Sequence, residues 1–208
     1  MRISRNKILF LLLPVIFLTG CFIVKRPESR ETPPSASMVS PKPKISMSDE
    51  LVRSRQGDMI AFLPKDWFFV DVENRSSSDV IAVAVNPDYT LSAVFSLIKS
   101  NENITDIVTK EGLLGLARIS FARHERKTAG AVKLIGNYQT IQIGQKSFAI
   151  FEFSSNGGAS TTKIAVYKSE LNQYYEFALT PMNFTGKPQP TKEETNAIFN
   201  SILTSIDY

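Results

Sequence analysis

Cys21 and His124 are the only cysteine and the only histidine of this sequence, so thiol or imidazole chemistry depends on them. A serine-type hydrolase places a histidine between a nucleophile and a carboxylate. His124 instead lies in the charged run 123–127 at the end of a predicted helix, where we expect it to be exposed to solvent. The sequence therefore predicts no catalytic residue, and a hydrolase using His124 is kept only as a second alternative.

The same residue counts leave few ligands for a metal ion. One cysteine excludes a multi-cysteine zinc site, so carboxylates would have to supply most of the ligands. Asp71 and Glu73 form such a pair, but this spacing is ordinary at the edge of a strand. Gly157-Gly158 lacks the Lys-Ser/Thr pair that completes a phosphate-binding loop. We predict neither a metal site nor a cofactor.

Cys21 follows Leu18, Thr19 and Gly20, and the segment before it has the three parts of an export signal. Basic residues open the segment, an apolar stretch spans residues 8–18, and small residues precede the cysteine. This resembles a bacterial lipoprotein signal, which implies that residues 1–20 are removed and that Cys21 carries a thioether-linked diacylglyceryl group. Each buried methylene adds about 0.8 kcal/mol, so several acyl chains on Cys21 would anchor the protein to a membrane.

An uncleaved membrane anchor is the alternative, because residues 8–24 are apolar almost throughout. That run is at the short end of the roughly 17 to 25 residues that a spanning helix needs, and Pro14 interrupts it. Phe22 is not the aspartate that retains lipoproteins at the inner membrane of enteric bacteria, so the outer membrane is favoured. We expect a location in the cell envelope, facing the periplasm or the exterior.

The charge of the chain gives no reason to expect a nucleic-acid partner. The formal net charge is +4, but without the three basic residues of segment 1–20 the chain has 21 basic and 20 acidic residues, a net charge of +1. Proteins that bind nucleic acid usually show a strongly basic face.

Composition divides the remaining chain into a tether and one domain. Residues 21–56 are rich in proline, serine and charged residues, which predicts a disordered linker after the lipidated N-terminus. Ser48 is a candidate cap for a short helix ending at Arg53. Residues 57–208 are predicted to form the single globular domain.

The predicted domain begins with strands over residues 59–63 and 67–72, which form a hairpin around Lys65-Asp66. Further strands follow over residues 80–85 and 91–98. A helix over residues 107–121 has Gly112 and Gly115 on it, which indicates close packing. Four strands come next, with a hairpin at Asn156-Gly157, and the final helix starts with a capping box of Thr191 and Glu194.

This order predicts an α+β fold, an antiparallel β-sheet covered by helices on both faces, which is a three-layer sandwich. Residues 59–67, Met-Ile-Ala-Phe-Leu-Pro-Lys-Asp-Trp, together with the spacing of Phe199, Ile202, Ser205 and Ile206, resemble the PsbP-like family. The resemblance covers residues 57–208, and Asp66 stands where the family commonly has glycine. It implies an α-β-α sandwich that binds and assembles rather than catalyses, since the family includes an extrinsic subunit of photosystem II, a nuclear Ran-binding relative and bacterial lipoproteins.

Two groups of residues are candidate binding surfaces. The basic cluster of Arg123, His124, Arg126 and Lys127 could attract an anionic partner or lipid headgroups, against the alternative of a solvated helix end. The aromatic residues Trp67, Tyr174 and Tyr175 could line a cleft, although core packing is the alternative.

Three hypotheses of function follow from these features. The first is a membrane-anchored, non-enzymatic envelope lipoprotein whose domain binds or assists a protein partner or complex. The second is a carrier of a small apolar ligand in the aromatic cleft. The third is the hydrolase that uses His124.

Overall fold

A computed structural model describes residues 37–71 and 78–208. The predicted signal peptide, the residues Leu18, Thr19 and Gly20, the lipidation site Cys21 and the residue Glu73 lie outside these ranges. Within them the chain has a mixed α+β fold, which confirms the predicted class. The strands are β1 Ser37–Val39, β2 Met47–Arg53, β3 Ile60–Pro64, β4 Phe68–Phe69, β5 Val80–Val85, β6 Leu91–Ile98, β7 Lys133–Ile143, β8 Lys146–Ser155, β9 Ser160–Lys168 and β10 Tyr174–Pro181; the helices are α1 Glu102–Lys127 and α2 Lys192–Ser205.

Eight of these strands form one sheet in the order β1-β7-β8-β9-β10-β6-β5-β4, and β2 pairs with β3 in a second sheet. The neighbours from β7 to β4 are antiparallel, as the sequence predicts. β1 is the exception, because Ser37 pairs with Ile141 in a parallel register. The large sheet is therefore mixed, with one short parallel strand at its edge.

The predicted linker over residues 21–56 is wrong for the part that the structure describes. β1 and β2 both lie in this segment, and Val52 of β2 is buried at 2% exposure. The backbone N–H of Lys44 donates to the Ser201 hydroxyl of α2 over 2.9 Å. Proline-rich composition predicts disorder when a segment has nothing to pair with, but here the edges of two sheets supply partners. The folded domain therefore begins before Gly57.

The first predicted hairpin is also wrong. β3 pairs with β2 and not with β4, which belongs to the large sheet. The predicted helix after Ser48 is a strand, because residues 51–53 pair with residues 60–62. Asp66 has a left-handed backbone with φ of 68°. Glycine adopts this conformation without steric cost, which explains why a glycine suits this turn before Trp67.

α1 is longer than predicted and is interrupted at Gly112, whose φ of 64° and ψ of −154° are not helical. A Cβ built on Gly112 has no atom within 4 Å, so its role is the backbone conformation and not the predicted close packing. At Gly115 a Cβ would lie 2.8 Å from Ile107 Cγ2, so this glycine allows close packing within α1 itself and not against another element. Asn101 caps the helix by accepting a hydrogen bond from the Ile104 N–H over 2.9 Å.

Two clusters of buried side chains form the core, and successive strand residues alternate between them, as side chains of a strand do. Phe148, Ala165 and Tyr167 lie in one cluster with Phe199, Ile202 and Leu203 of α2. Ala149, Ile164 and Val166 lie in the other with Leu116 and Ala117 of α1. The predicted capping box of α2 is present, with the Glu194 N–H donating to the Thr191 hydroxyl over 3.2 Å.

Candidate functional site

His124 and Ser120 lie one helical turn apart on α1 and both reach Glu176 of the central strand β10. His124 Nε2 is 3.0 Å from Glu176 Oε1, and the Ser120 hydroxyl donates to Glu176 Oε2. Residues four apart share one helix face, so a single carboxylate can receive both side chains. Ser120 is fully buried, Glu176 is 7% exposed, and the His124 side chain is 24% exposed. The expectation of a fully solvated His124 is therefore wrong.

The order of these groups does not suit nucleophilic catalysis. A catalytic triad needs the histidine between the hydroxyl and the carboxylate, so that the imidazole can take the hydroxyl proton. Here the Glu176 carboxylate is central and the Ser120 hydroxyl donates to it directly. Burial alone would raise the pKa of Glu176, but hydrogen bonds from His124 and Ser120 outweigh it and lower the pKa. These hydrogen bonds keep the Glu176 carboxylate ionised beneath α1, so the cluster stabilises the contact between α1 and the sheet.

The predicted basic cluster of Arg123, His124, Arg126 and Lys127 is divided by these contacts. His124 faces Glu176, and the Arg123 guanidinium lies 3.5 Å from Asp79, which also pairs with Lys99 over 2.6 Å. The hydrogen bond from Lys99 lowers the pKa of Asp79. Arg126 and Lys127 remain on the exposed surface. Half of the predicted anion-binding set is thus paired with carboxylates.

The predicted aromatic cleft of Trp67, Tyr174 and Tyr175 is wrong, because these side chains lie on opposite sides of the sheet. Trp67 and Tyr175 belong to the core cluster that contains α2, whereas Tyr174 belongs to the cluster that contains α1. All three are at most 7% exposed. They are core residues, which was the alternative interpretation.

Tyr175 has a polar partner that the sequence did not reveal. Its hydroxyl donates to Asp58 Oδ1 over 2.6 Å, and Ser54 donates to the same oxygen over 2.7 Å. Ser169 donates to the other oxygen of Asp58. Burial acts to raise the pKa of Asp58, but these three hydroxyls lower it. Burial and the bond to Asp58 raise the pKa of Tyr175 to about 12. This network ties the turn after β2 to the turn between β9 and β10.

A groove on the surface of the described residues, which we call the Lys163 groove, is the next candidate. It has a volume of about 440 Å³ and is lined mainly by β7, β8 and α2, with Val39 of β1 at one end. Its apolar lining consists of Val39, Ile135, Ile141, Ile150, Phe151 and Phe199. A second cavity of about 370 Å³ shares Ile135, Glu152 and Lys163 with it and continues towards the start of α2. Ligand sites usually have volumes of roughly 300 to 1,000 Å³ and a few convergent polar groups, so the Lys163 groove is the candidate binding site.

An ion pair between buried Lys163 and half-buried Glu152 forms part of this groove. Lys163 of β9 and Glu152 of β8 are directly opposite in the sheet register, and the Lys163 ammonium contacts Glu152 Oε1. Lys163 is 8% exposed, and its Nζ lies 5.8 Å from the centre of the Phe199 ring. Directly opposed side chains of one sheet face meet in this way. The pair leaves the floor of the groove polar but without net charge.

Four carboxamide side chains line the same groove: Asn137 and Gln139 from β7, and Asn196 and Asn200 from α2. The two residues of β7 are exposed and the two of α2 are half-buried. None of the four side chains is hydrogen-bonded to another residue in the described part of the chain. A carboxamide has two N–H donors and an oxygen acceptor, so the groove presents unused donors and acceptors from two walls.

Comparison with known proteins identifies the fold. The solution structure of cyanobacterial PsbP (CyanoP) from Synechocystis sp. PCC 6803 superimposes with a TM-score of 0.52 at 17% sequence identity, over 78% of this chain and 93% of that one. The chain has a PsbP-like fold. A crystal structure of a protein from Bacteroides thetaiotaomicron overlaps with a TM-score of 0.36 at 15% identity, over 76% of this chain and 47% of that one, and has no part in this conclusion.

The PsbP-like fold agrees with the resemblance in residues 59–67 and in the final helix. No sequence profile of a known family matches the chain, and no curated protein matches it. The fold is therefore the property that the comparisons establish, and function has to be argued from the residues of the PsbP-like domain itself.

Neither a metal-binding group nor a membrane-spanning helix is found among the described residues. Residues 37–71 and 78–208 hold no group of three or more histidine, cysteine, aspartate or glutamate side chains placed to bind a metal ion. In the same residues, no helix has the length and apolar character needed to cross a bilayer. The predictions of no metal and of a lipid anchor at Cys21 stay predictions.

Sequence reasoning missed Lys163 and Glu176, although both give the same signal. Each is a charged residue next to a run of apolar strand residues, and charged residues are almost never buried without a partner. For Lys163 the partner depends on register. A two-residue turn at Asn156-Gly157 would place Glu152 opposite Thr161, whereas the observed pairing of Ser155 with Ser160 places it opposite Lys163.

Proposed function

We propose that this protein is a lipid-anchored, non-enzymatic protein of the cell envelope whose PsbP-like domain binds a protein partner in the Lys163 groove. The observation that carries the binding role is the groove itself, which combines apolar residues with unused carboxamides on two walls. The anchor rests on the sequence motif that ends at Cys21. Phe22 after it favours the outer membrane.

The non-enzymatic part of the proposal is supported by the contacts of His124. The only imidazole of the chain lies against Glu176, and the nearby Ser120 hydroxyl donates to that carboxylate instead of to the imidazole. Proton transfer from Ser120 to His124 would require both contacts to be broken in a buried position. The Lys163 ammonium is likewise neutralised by Glu152.

We also propose that the domain is a three-layer sandwich, with α1 on one face of the large sheet and α2 on the other. The two core clusters support this arrangement. Adjacent strand residues such as Ile164 and Ala165 point to opposite faces, and they pack with α1 and α2 respectively. The Lys163 groove then lies beside α2, on the part of that face towards β7.

The anchor is tested by fractionating cells that produce the Cys21→Ser variant. We expect the unaltered protein in the membrane fraction and the variant in the soluble fraction, because the sulfur that carries the lipid is gone. Ser29→Ala, in the same segment, is the matched control and should stay with the membrane. Membrane-bound unaltered protein whose mass includes residues 1–20 and no lipid would show that the apolar segment 8–24 is an uncleaved anchor.

Partner binding is tested by crosslinking in intact cells. A photo-crosslinking amino acid at Asn137, on the rim of the groove, should give an adduct of defined mass that is a protein. The same amino acid at Asn183, in the exposed loop after β10, is the control and should give none. Background labelling alone at Asn137 would contradict the proposed function.

A further inference from the structure

We infer that the Lys163 groove binds an extended, linear peptide segment, and that its carboxamides recognise the peptide backbone. This inference rests on the proposed function, since it states the chemistry of the partner at the same site. Three features of the groove carry it: the unused carboxamides, the neutralised charge and an edge of β7 that has no neighbouring strand in the described part of the chain.

The carboxamides match a peptide backbone better than they match other ligands. Each residue of an extended peptide presents one N–H and one C=O, and a carboxamide can accept from the first and donate to the second. Asn137 and Gln139 belong to β7, and Asn196 and Asn200 belong to α2, so both walls of the groove carry this pair of functions. Because the four side chains have no partner among the described residues, a bound backbone would displace water and break no internal bond.

The charge of the groove argues against an anionic ligand. The Lys163 ammonium is paired with Glu152, whose side chain is 34% exposed and lies in the same groove. A carboxylate or phosphate that approached Lys163 would meet the Glu152 carboxylate, and like charges at short range repel. The uncharged backbone of a peptide avoids this repulsion.

The polar lining argues against an apolar small molecule. Such a ligand would remove water from the carboxamides and from the Lys163 and Glu152 pair without replacing their hydrogen bonds. Burial of a polar group without a hydrogen-bond partner is unfavourable, so several such groups would oppose binding. A peptide satisfies the carboxamides and can place its own apolar side chains against Ile135 and Ile150.

The edge of β7 provides further backbone groups beside the groove. Among the described residues, β1 pairs only with residues 141–143 of β7, so residues 133–140 have no strand on that side. An irregular register between Ile135 and Gln139 bows this edge, and Gly136 takes a φ of 67° there. The bowed segment lines the groove, which places this edge and the carboxamides within one surface. Extended peptides commonly bind at such edges.

The test is a selection of random linear peptides displayed on phage against the purified lipidated protein in detergent. Peptides of the enriched sequence are then synthesised and titrated by calorimetry. We expect the double variant Asn196→Ala/Asn200→Ala to weaken binding about tenfold or more, since each lost hydrogen bond contributes on the order of 1 kcal/mol. Gln139→Ala changes an exposed residue on the β7 wall and should also weaken binding. Because Gln139 lies outside α2, this variant distinguishes lost binding from misfolding of α2. Asn183→Ala, the same chemical change outside the groove, should leave affinity unaltered.

Backbone recognition is tested with the same peptides carrying N-methyl groups on alternate backbone nitrogens. N-methylation removes the N–H donors and keeps the side chains, so affinity should fall about tenfold or more. Selection without an enriched linear peptide, or enriched peptides that tolerate both N-methylation and the groove variants, would overturn the inference.

The two proposals fail in different ways. A protein adduct at Asn137 together with a failed peptide selection would leave the proposed function standing and remove the inference, since the partner would then use a folded surface. Selected peptides that need Asn196 and Asn200, without an adduct in cells, would support the groove chemistry and refute the protein partner.

Discussion

Replacement of Tyr167 by phenylalanine is expected to stabilise the protein. Tyr167 is fully buried, and its hydroxyl has no hydrogen-bond partner among the described residues. Its ring is well packed, with centroids 4.8 Å from Tyr208, 5.6 Å from Tyr175 and 5.4 Å from Phe148. Burial raises the pKa of Tyr167 well above its usual value. The hydroxyl therefore lost water on folding and gained no hydrogen bond.

The size of the effect follows from two opposing contributions. An unsatisfied buried hydroxyl costs roughly 1–3 kcal/mol. The void left by one oxygen atom costs a few tenths of a kcal/mol, at about 24 cal/mol per Å³. Tyr167→Phe should thus raise the free energy of unfolding by about 1 kcal/mol. Tyr175→Phe is the matched control, because it removes the 2.6 Å bond to Asp58 and should lower the free energy of unfolding by about 2 kcal/mol.

Urea unfolding followed by fluorescence measures both changes. Trp67 is the only tryptophan and is 7% exposed in the same core cluster as Tyr167 and Tyr175, so its emission reports on this region. The slope of the transition should stay constant while the midpoint moves up for Tyr167→Phe and down for Tyr175→Phe. A Tyr167→Phe variant as unstable as Tyr175→Phe would refute the reasoning, because the hydroxyl would then have a stabilising partner.

Two further changes probe the polar contacts and the backbone. Glu176→Gln should lower the free energy of unfolding by about 2 kcal/mol at neutral pH. Because the pKa of Glu176 is lowered in the folded state, this contribution is present above the unfolded pKa of roughly 4.3 and is lost as the pH falls through the folded pKa. The urea midpoints of the variant and the unaltered protein should therefore converge in acid. Asp66→Ala should lower the free energy of unfolding by about 1 kcal/mol because φ at this position is 68°, whereas Asp66→Gly should leave it unchanged or raise it. Thermal unfolding compares the two variants, and a more stable alanine variant would contradict the strain argument.

Local patterns predicted the middle of the domain well. The strands from β5 to β10 and the capping box of Thr191 follow from periodicity and capping, which are properties of neighbouring residues. The alternation of side chains in β8, with Phe151 in one core cluster and Phe148 in the other, is likewise readable from the chain. These elements depend on short stretches of chain, so the sequence suffices.

The errors arise where structure depends on distant partners. β1 and β2 have the composition of a linker, and they become strands because β7, about 100 residues further along the chain, and β3, across a short turn, pair with them. The pairing of β3 with β2 instead of β4 is likewise a choice between partners. Propensity does not encode such choices, since strand formation depends on what lies opposite.

The residues of the candidate site differ from the predicted ones for a related reason. Sequence reasoning selected charged and aromatic residues, and the fold uses most of them internally: His124 pairs with Glu176, and Tyr175 with Asp58. The residues left to face solvent in the Lys163 groove are mainly uncharged amides, which carry no periodic or electrostatic signal. The four amides come together only in the folded protein, where β7 and α2 line the same groove. In this PsbP-like domain these charged groups are paired with one another, and the recognition that we propose would use neutral groups whose hydrogen bonds the fold itself does not use.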